Sequence, residues 1–220
     1  MKKIFVFSFD DGTVHDIKMI SILNKYGLKA TFNLNSGLAN FVWHNNGVAI
    51  YRLDLNEYKY IYDGHEVSSH SLTHTHMTSL DDAGVIYESK QDIENLENIF
   101  QRKITSFAFP FSDFSQREIE LIKQNNELTN IRVSEIDESF RYPNDVYKIP
   151  ITSLDLNRAM ELFKAFERLK EGLFVFAGHS YDFYMNDSFD QLEQFVKELS
   201  KCKDIEVMTM QEMIEYIKTL

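Results

Sequence analysis

Short, almost uninterrupted apolar segments alternate with amphipathic ones along this chain, and this alternation constrains the fold most. Residues 4–9 carry a single serine among apolar residues, which is typical of a strand buried on both faces. Residues 16–26 carry apolar residues at helical spacing and are followed by Gly27, a plausible end for a helix. Strands that alternate with helices predict a parallel sheet, either open or closed into a barrel.

The same pattern continues to the end of the chain. Further strands are predicted over residues 29–34, 104–109, 130–134, 146–151, 173–177 and 205–208, and helices over residues 79–100, 116–124, 157–170, 190–202 and 211–219. Only 8 Gly and 3 Pro occur in 220 residues, which favours regular elements with short connections. Because single cores extend to roughly 250 residues, we predict one α/β domain over residues 1–220, a small and irregular barrel of β/α units.

The composition restricts the classes of binding partner and the cellular compartment that we expect for this protein. The chain has 23 Lys and Arg against 34 Asp and Glu, and this net charge of −11 disfavours nucleic acid and anionic membranes. The single Cys202 excludes an internal disulfide and a multi-cysteine zinc site, so any metal must bind histidines and carboxylates. The apolar run near the start is too short for a signal peptide, and no segment approaches the roughly 20 apolar residues of a membrane span. We therefore expect a cytoplasmic protein without a membrane partner.

Polar residues with catalytic potential follow several predicted strands. Asp10 and Asp11 come directly after the first strand. His70 and His74 follow the segment that ends at residue 69, and His179 follows the apolar strand 173–177. In a parallel β/α barrel the carboxyl ends of all strands meet at one rim, which hosts the chemistry. Two aspartates and three histidines are therefore predicted to meet there.

The spacing of these residues suggests a metal site. His70 and His74 are four residues apart, so a helical turn or a tight loop would direct both imidazoles the same way. Two histidines and one carboxylate are a common ligand set for catalytic zinc, which keeps a position open for water. Asp10 and Asp11 would point to opposite sides if the strand continued, one towards a metal and the other towards a substrate. Taken singly, these residues are equally compatible with a turn and with structural histidines in a loop.

Four segments resemble, in order, the motifs of the NodB-like polysaccharide deacetylases. They are residues 8–12 (SFDDG), 64–74 (GHEVSSHSLTH), 108–112 (AFPFS) and 173–179 (LFVFAGH). The resemblance extends from residue 4 to about residue 180, and its second motif is very specific. Residues around Asn33, Asn35 and Glu66, and the segment 178–183, are more similar to an uncharacterised branch of the family.

The resemblance implies a metal-dependent amide hydrolase on a distorted (β/α)7 barrel. Asp11, His70 and His74 would hold the metal, usually zinc, with cobalt or nickel as alternatives. Asp10 would act as the general base towards the attacking water. His179 would protonate the leaving amine, a role that suits an ordinary histidine pKa of about 6.5.

The third motif departs from the family pattern. The resemblance implies that a backbone N–H near Pro110 and Phe111 holds the oxyanion of the transition state. The family often begins this motif with an arginine that orients the base, but Ala108 stands there in this chain. Arg132, predicted on the next strand, is the candidate replacement, and an ordinary surface arginine is the alternative.

The fourth motif of the family is not found. It supplies an aspartate that tunes the acid histidine and a tryptophan that forms a wall of the substrate site. Asp155 and Asp137 are the candidates for the aspartate, while the single tryptophan, Trp43, lies in an early loop where packing is the simpler role. His65 is expected to be a structural hydrogen-bonding residue, and His76 a surface residue.

Three functions remain open at this stage. The first is a zinc-dependent deacetylase acting on an N-acetylated amino sugar. The second is a hydrolase of another C–N bond, in a cyclic ureide or a small amide. The third is a carbohydrate-binding protein that keeps the metal but has lost turnover. The expected partner is a carbohydrate or a small amide in each case.

Overall fold

Strand β1 (Lys3–Asp10) lies at the centre of the sheet in this computed structural model, which describes residues 1–111 and 113–220. All of its residues are buried, as the sequence predicts. On one side it pairs in parallel with β9 (Gly172–His179) along its whole length. On the other side it pairs with β10 (Ile205–Val207) near its start and with β2 (Thr31–Leu34) near its end.

The sheet then curves into a barrel. From β2 it continues in parallel through β5 (Glu66–Ser69), β6 (Ser106–Ala108), β7 (Asn130–Ile136) and β8 (Ile149–Ile151). A bridge between Ser153 and Phe176 connects the end of β8 back to β9. Seven strands of the described chain therefore form a nearly closed ring, which confirms the distorted (β/α)7 barrel in a single domain.

Helices surround the barrel. In the described residues they are α1 (Asp16–Lys25), α2 (Leu55–Tyr58), α3 (Asp82–Phe100), α4 (Gln116–Asn125), α5 (Leu156–Phe166), α6 (Ser180–Met185), α7 (Phe189–Leu199) and α8 (Met210–Ile217). Capping boxes fix the starts of two of them, at Ser115 for α4 and at Thr209 for α8. No helix among the described residues is long and apolar enough to cross a bilayer.

Alternate residues of β1 face different surroundings. Phe5, Phe7 and Phe9 pack in the large cluster shared with the surrounding helices, and Phe5 stacks on Phe174 at 4.7 Å between ring centroids. Ile4 and Val6 pack in a second cluster with residues of β8, β9 and α8. Because side chains alternate along a strand, Asp10 lies on the same inner face as Ile4 and Val6.

The inner face of the neighbouring strands is polar. The buried carboxylate of Glu66 accepts hydrogen bonds from Thr31 Oγ1, Ser106 Oγ and the Gln211 backbone N–H. Burial raises the pKa of Glu66 despite these donors. Arg132 is two residues beyond Asn130, whose side chain bonds Ser106 in this layer, and it therefore extends into the barrel at the end nearer to Asp10.

Three parts of the fold were not predicted from the sequence: an antiparallel hairpin, the four-residue helix α2 and helix α6. An antiparallel hairpin forms between β3 (Val42–Asn45) and β4 (Val48–Tyr51). Its turn residues, Asn46 and Gly47, both have positive φ, and an Asn-Gly pair is the strongest short-range hairpin signal. Helix α6 begins directly after β9 and is only six residues long, too short to show a helical period.

The aromatic core gives a first prediction. Replacement of Phe7 by alanine leaves a cavity beside Phe5, Phe9 and Phe176, because Phe7 is fully buried among these rings. We expect the free energy of unfolding to fall by about 3–5 kcal/mol, measured by urea denaturation. Tyr87→Ala is the control, since Tyr87 is 58% exposed and its loss should change stability by less than about 0.5 kcal/mol. Equal losses in the two variants would contradict this description of the core.

Candidate metal centre and its surroundings

A turn at the end of β1 directs two carboxylates into one site. The strand ends at Asp10, and Asp11 adopts a positive φ of 84°. Asp10 Oδ2 and Asp11 Oδ1 each lie 3.9 Å from His70 Nε2. The expectation that these aspartates point to opposite sides is therefore wrong, because the extended backbone on which it depended stops at Asp10.

The two histidines converge on the same point. His70 and His74 lie in the loop after β5, where Ser71 and His74 have positive φ, and their ring centroids are 5.0 Å apart. His74 Nε2 is 3.2 Å from Asp11 Oδ1. One ligand atom each from Asp11, His70 and His74 can be chosen so that all three lie within 4.8 Å of one another. The tight loop expected from the four-residue spacing is present.

The chemistry of His70 shows that a cation fits this site. Its Nδ1 lies 2.8 Å from the backbone carbonyl of Ala108, and because a carbonyl only accepts, Nδ1 carries the hydrogen. Burial lowers the pKa of His70 well below its usual value, so the ring is neutral and Nε2 presents a lone pair. That lone pair faces two carboxylates, and no hydrogen is available between Nε2 and their oxygens, so a cation can be held there. One carboxylate and two imidazoles suit zinc, cobalt or nickel.

Arg132 occupies the place beside Asp10 that the sequence analysis suggested for it. Its Nη2 donates to both carboxylate oxygens of Asp10, at 2.8 and 2.7 Å. The side chain is 2% exposed, which excludes the alternative of a surface arginine. Asn33 Nδ2 also donates to Asp10 Oδ1 at 2.7 Å. Asp10 is thereby held in one orientation by three hydrogen bonds.

His179 lies on the opposite side of Asp11. Its Nε2 is 3.9 Å from Asp11 Oδ2, and its Nδ1 is 2.9 Å from Asp182 Oδ2. Burial alone would lower the pKa of His179. The hydrogen bond to Asp182 and the charges of Asp11 and Asp10 outweigh burial and raise the pKa to about 9. A cation bound to Asp11 would oppose part of this shift, since it adds positive charge nearby.

The aspartate that pairs with His179 was assigned wrongly from the sequence. Asp155 instead caps helix α5 by accepting the Arg158 backbone N–H, and Asp137 accepts the Ser139 backbone N–H. Asp182 lies three residues after His179, in the first turn of α6, where helical spacing brings the two side chains together. Because α6 was not predicted, the three-residue spacing between His179 and Asp182 could not be interpreted as one turn of a helix.

A second arginine, Arg52, contacts the site and was also missed. It follows β4, and its Nη2 donates to Asp11 Oδ1 at 3.0 Å, while Nη1 donates to the Asp11 carbonyl and to Asn35 Oδ1. Burial would raise the pKa of Asp11, but the charges of Arg52 and of His179 oppose burial, and the pKa lies below its usual value. Asp11 is therefore ionised at neutral pH.

Aromatic side chains form two walls of the site. Trp43 of the hairpin packs edge-on against Tyr181 at 5.4 Å, and Tyr181 stacks on the His179 ring at 4.8 Å. On the other side, Phe111 contacts the ring of His74 at 4.6 Å and is 44% exposed. Trp43 therefore does pack, as expected, but it packs at the site.

The remaining sequence expectations concern the third motif and two histidines. Pro110 is buried next to Phe111, and Ser112 of this motif lies outside the described residues. His76 is exposed, as expected, and pairs with Asp113 at 3.1 Å. His65 accepts the Ala30 backbone N–H and also contacts Asn24, which confirms its structural role.

A cavity of about 490 Å³ opens beside His179 and Asp182. Its polar lining is formed largely by carboxyl and amide groups, from Asp155, Asn157, Asp182, Asn186 and Gln191. No lysine or arginine lines it among the residues that the structure describes. Such a cavity can accept hydroxyl, amide or amino groups of a ligand, and it does not suit an anion.

The contact between His179 and Asp182 gives a prediction on the metal-free protein. In Asp182→Asn the pKa of His179 should fall by at least about one unit, because the imidazolium loses a charged acceptor. An NMR titration of the imidazole C–H resonances measures it, with the exposed Asp187→Asn as the control. Because the folded pKa is raised from 6.5 to about 9, the contact stabilises the fold fully below pH 6.5 and loses this effect as the pH rises through about 9. An unchanged pKa in Asp182→Asn would contradict the assignment.

Two solved structures share the fold of this chain. A family 4 acetyl xylan esterase from Clostridium thermocellum in complex with a cobalt ion has a TM-score of 0.67, with 17% identity over 99% of this chain and 93% of that chain. A CE4 family pseudoenzyme from Bacillus anthracis has a TM-score of 0.66, with 19% identity over 97% of this chain and 66% of that chain. At such identities the likeness concerns the fold alone.

Sequence comparison identifies the family. A curated chitin deacetylase from Pestalotiopsis sp is 28% identical over 108 residues, which are 49% of this chain and 34% of that enzyme. The match thus spans about a third of the length of that enzyme. A sequence profile described as polysaccharide deacetylase matches residues 1–129, more than half of the chain. The chain therefore belongs to the polysaccharide deacetylase family.

Proposed function

We propose that this protein is a metal-dependent hydrolase that removes the acetyl group from an N-acetylated amino sugar. One observation carries the proposal: a neutral His70 presents its Nε2 lone pair to two ionisable carboxylates, each at 3.9 Å, in a buried site. Asp10, the proposed general base, and His179, the proposed general acid, lie on either side of the proposed metal ligands. Hydrolysis of an amide requires such an arrangement.

Asp11, His70 and His74 would hold the metal, with zinc as the proposed ion and cobalt or nickel as alternatives. When bound, such a cation supplies Lewis-acid chemistry, because it polarises a carbonyl and makes a water molecule more acidic. The hydrogen bond from His70 Nδ1 to the Ala108 carbonyl fixes the ring that donates Nε2.

Asp10 takes a proton from the attacking water. Its carboxylate is oriented by Arg132 and Asn33, so its free lone pairs are directed towards the point between the metal ligands. Arg132 here does what the absent arginine of the third motif does in the family.

His179 then donates a proton to the nitrogen of the leaving amine as the C–N bond breaks. Its Nδ1 is occupied by Asp182, so Nε2 is the atom that faces the reaction. The raised pKa keeps His179 protonated at neutral pH before the reaction. A backbone N–H at Phe111 stays the predicted donor to the oxyanion that develops on the carbonyl oxygen. The products are acetate and a free amine.

The surroundings of His179 support a carbohydrate as substrate. The cavity there offers amide and carboxyl groups for hydroxyls, and Trp43, Tyr181 and Phe111 provide aromatic faces near the site. The net charge of −11 disfavours an anionic polymer. A small amide or a cyclic ureide is the second candidate, since about 490 Å³ is in the range of small-molecule pockets, which span roughly 300–1,000 Å³.

The roles of the site residues give a prediction for activity. Asp10→Asn should retain zinc but lose about 10²–10⁴-fold in kcat for acetate release, because the base is gone while the ligands remain. His70→Ala should lose both zinc and activity. His44→Ala is the matched control, since its exposed imidazole is expected to change neither. Full activity of the metal-free protein in the presence of a chelator would overturn the proposal.

A substrate panel separates the candidate functions. We expect the zinc-loaded protein to release acetate from N-acetylated amino-sugar oligomers faster than from small acetamides, and the reverse order would favour the second candidate. Saturable binding of the oligomers without acetate release would indicate a carbohydrate-binding protein. That third outcome is a real alternative, because a structural neighbour of this chain is described as a pseudoenzyme.

A further inference from the structure

The proposed metal ligand Asp11 already has a permanent cation bound to it. Arg52 Nη2 donates to Asp11 Oδ1 at 3.0 Å, and this same oxygen faces His74 Nε2 at 3.2 Å and His70 Nε2 at 3.9 Å. Both partners of the ion pair are buried, with Arg52 6% and Asp11 4% exposed. The guanidinium therefore bonds the oxygen that is nearest to the two imidazoles.

The charges around the site balance without a metal. Asp10 is paired with Arg132 and Asp11 with Arg52, so each carboxylate has its own guanidinium. A site made only of Asp10, Asp11 and Arg132 would instead carry a net negative charge, which favours a divalent cation.

We infer that Arg52 is an internal counter-cation for Asp11 that stabilises the metal-free site and competes with the metal for this carboxylate. The inference rests on the proposed function, since it takes Asp11, His70 and His74 as the ligands. According to this inference, the hairpin that ends beside Arg52 controls the affinity of the site for the metal. Arg52 is not part of the family motifs.

The contacts of Arg52 allow it to release this oxygen without unfolding the hairpin. Its Nη1 also donates to the Asp11 backbone carbonyl and to Asn35 Oδ1, and these two bonds do not involve the carboxylate. Its Nε has no acceptor among the described residues. Only the Nη2 contact has to be given up, so a small rotation of the guanidinium is sufficient.

Trp43 reports on this rearrangement. The Arg52 guanidinium lies 5.1 Å from the centre of the Trp43 ring, and Trp43 is the single tryptophan of the chain. A change in the position of Arg52 alters the environment of the indole. Intrinsic fluorescence therefore follows Arg52 directly in the unmodified protein.

An opposite role for Arg52 has to be separated from this one. Residues that hydrogen-bond a metal ligand often orient it, and their loss costs about 10–100-fold in metal affinity. Arg52→Lys and Arg52→Gln distinguish the two roles. Lysine keeps the charge and loses the planar geometry, whereas glutamine loses the charge and keeps an N–H donor.

The test is a calorimetric titration of zinc into metal-stripped wild-type, Arg52→Gln and Arg52→Lys proteins at one pH. We expect Arg52→Gln to bind zinc at least about tenfold more tightly, and Arg52→Lys to remain within about threefold of wild type. Without zinc, the thermal midpoint of Arg52→Gln should be lower than that of wild type, since Asp11 loses its counter-ion, and zinc should raise it further. Equal or weaker zinc binding by Arg52→Gln would overturn the inference.

Trp43 fluorescence tests the same inference in the wild-type protein, should Arg52→Gln fail to fold. The emission should change with zinc and saturate at one equivalent, and binding without any change would overturn the displacement of Arg52. His70→Ala distinguishes failure of the proposed metal site from failure of the proposed role of Arg52. If it binds zinc as wild type does, the proposed metal site itself is wrong, whereas loss of binding there with unchanged affinity in Arg52→Gln refutes only the role of Arg52.

Discussion

Two adjacent buried carboxylates at the end of β1 each require a positive partner, and the rest of the site is arranged around this requirement. An unpaired ion in such a place costs several kcal/mol, so Asp10 and Asp11 are compatible with folding only because arginines reach them. Arg132 comes from the far side of the barrel and Arg52 from the hairpin outside it. The hairpin, which adds no strand to the barrel, is thus tied to the site through this ion pair and through the contact of Trp43 with Tyr181.

The barrel and the longer helices around it could be predicted from local patterns, whereas the hairpin and the short helices could not. The doubly buried β1 and the helices with one apolar stripe have periods that the sequence displays. The hairpin had only its Asn46-Gly47 turn as a signal, and its strands are half exposed, so their alternation is weak. Strand β6 is shorter than predicted because four of the six residues 104–109 are apolar, while only Ser106–Ala108 form the strand.

The residues of the candidate site likewise fall into those that local patterns predict and those that they do not. Asp11, His70 and His74 could be predicted because each follows a strand, and a parallel barrel collects strand ends at one rim. Arg132 could be proposed because residues of one parity on β7 face inwards. Arg52 could not be found, since its contact with Asp11 joins positions 41 residues apart and depends on a hairpin outside the barrel.

The central claim is that one divalent cation belongs between Asp11, His70 and His74. Anomalous diffraction at the zinc absorption edge, from crystals of the zinc-loaded protein, tests it most directly. The account predicts one strong peak about 2.0–2.2 Å from an Asp11 carboxylate oxygen and from Nε2 of both histidines. A peak elsewhere, or none at this point while His70 keeps its contact with the Ala108 carbonyl, would contradict it.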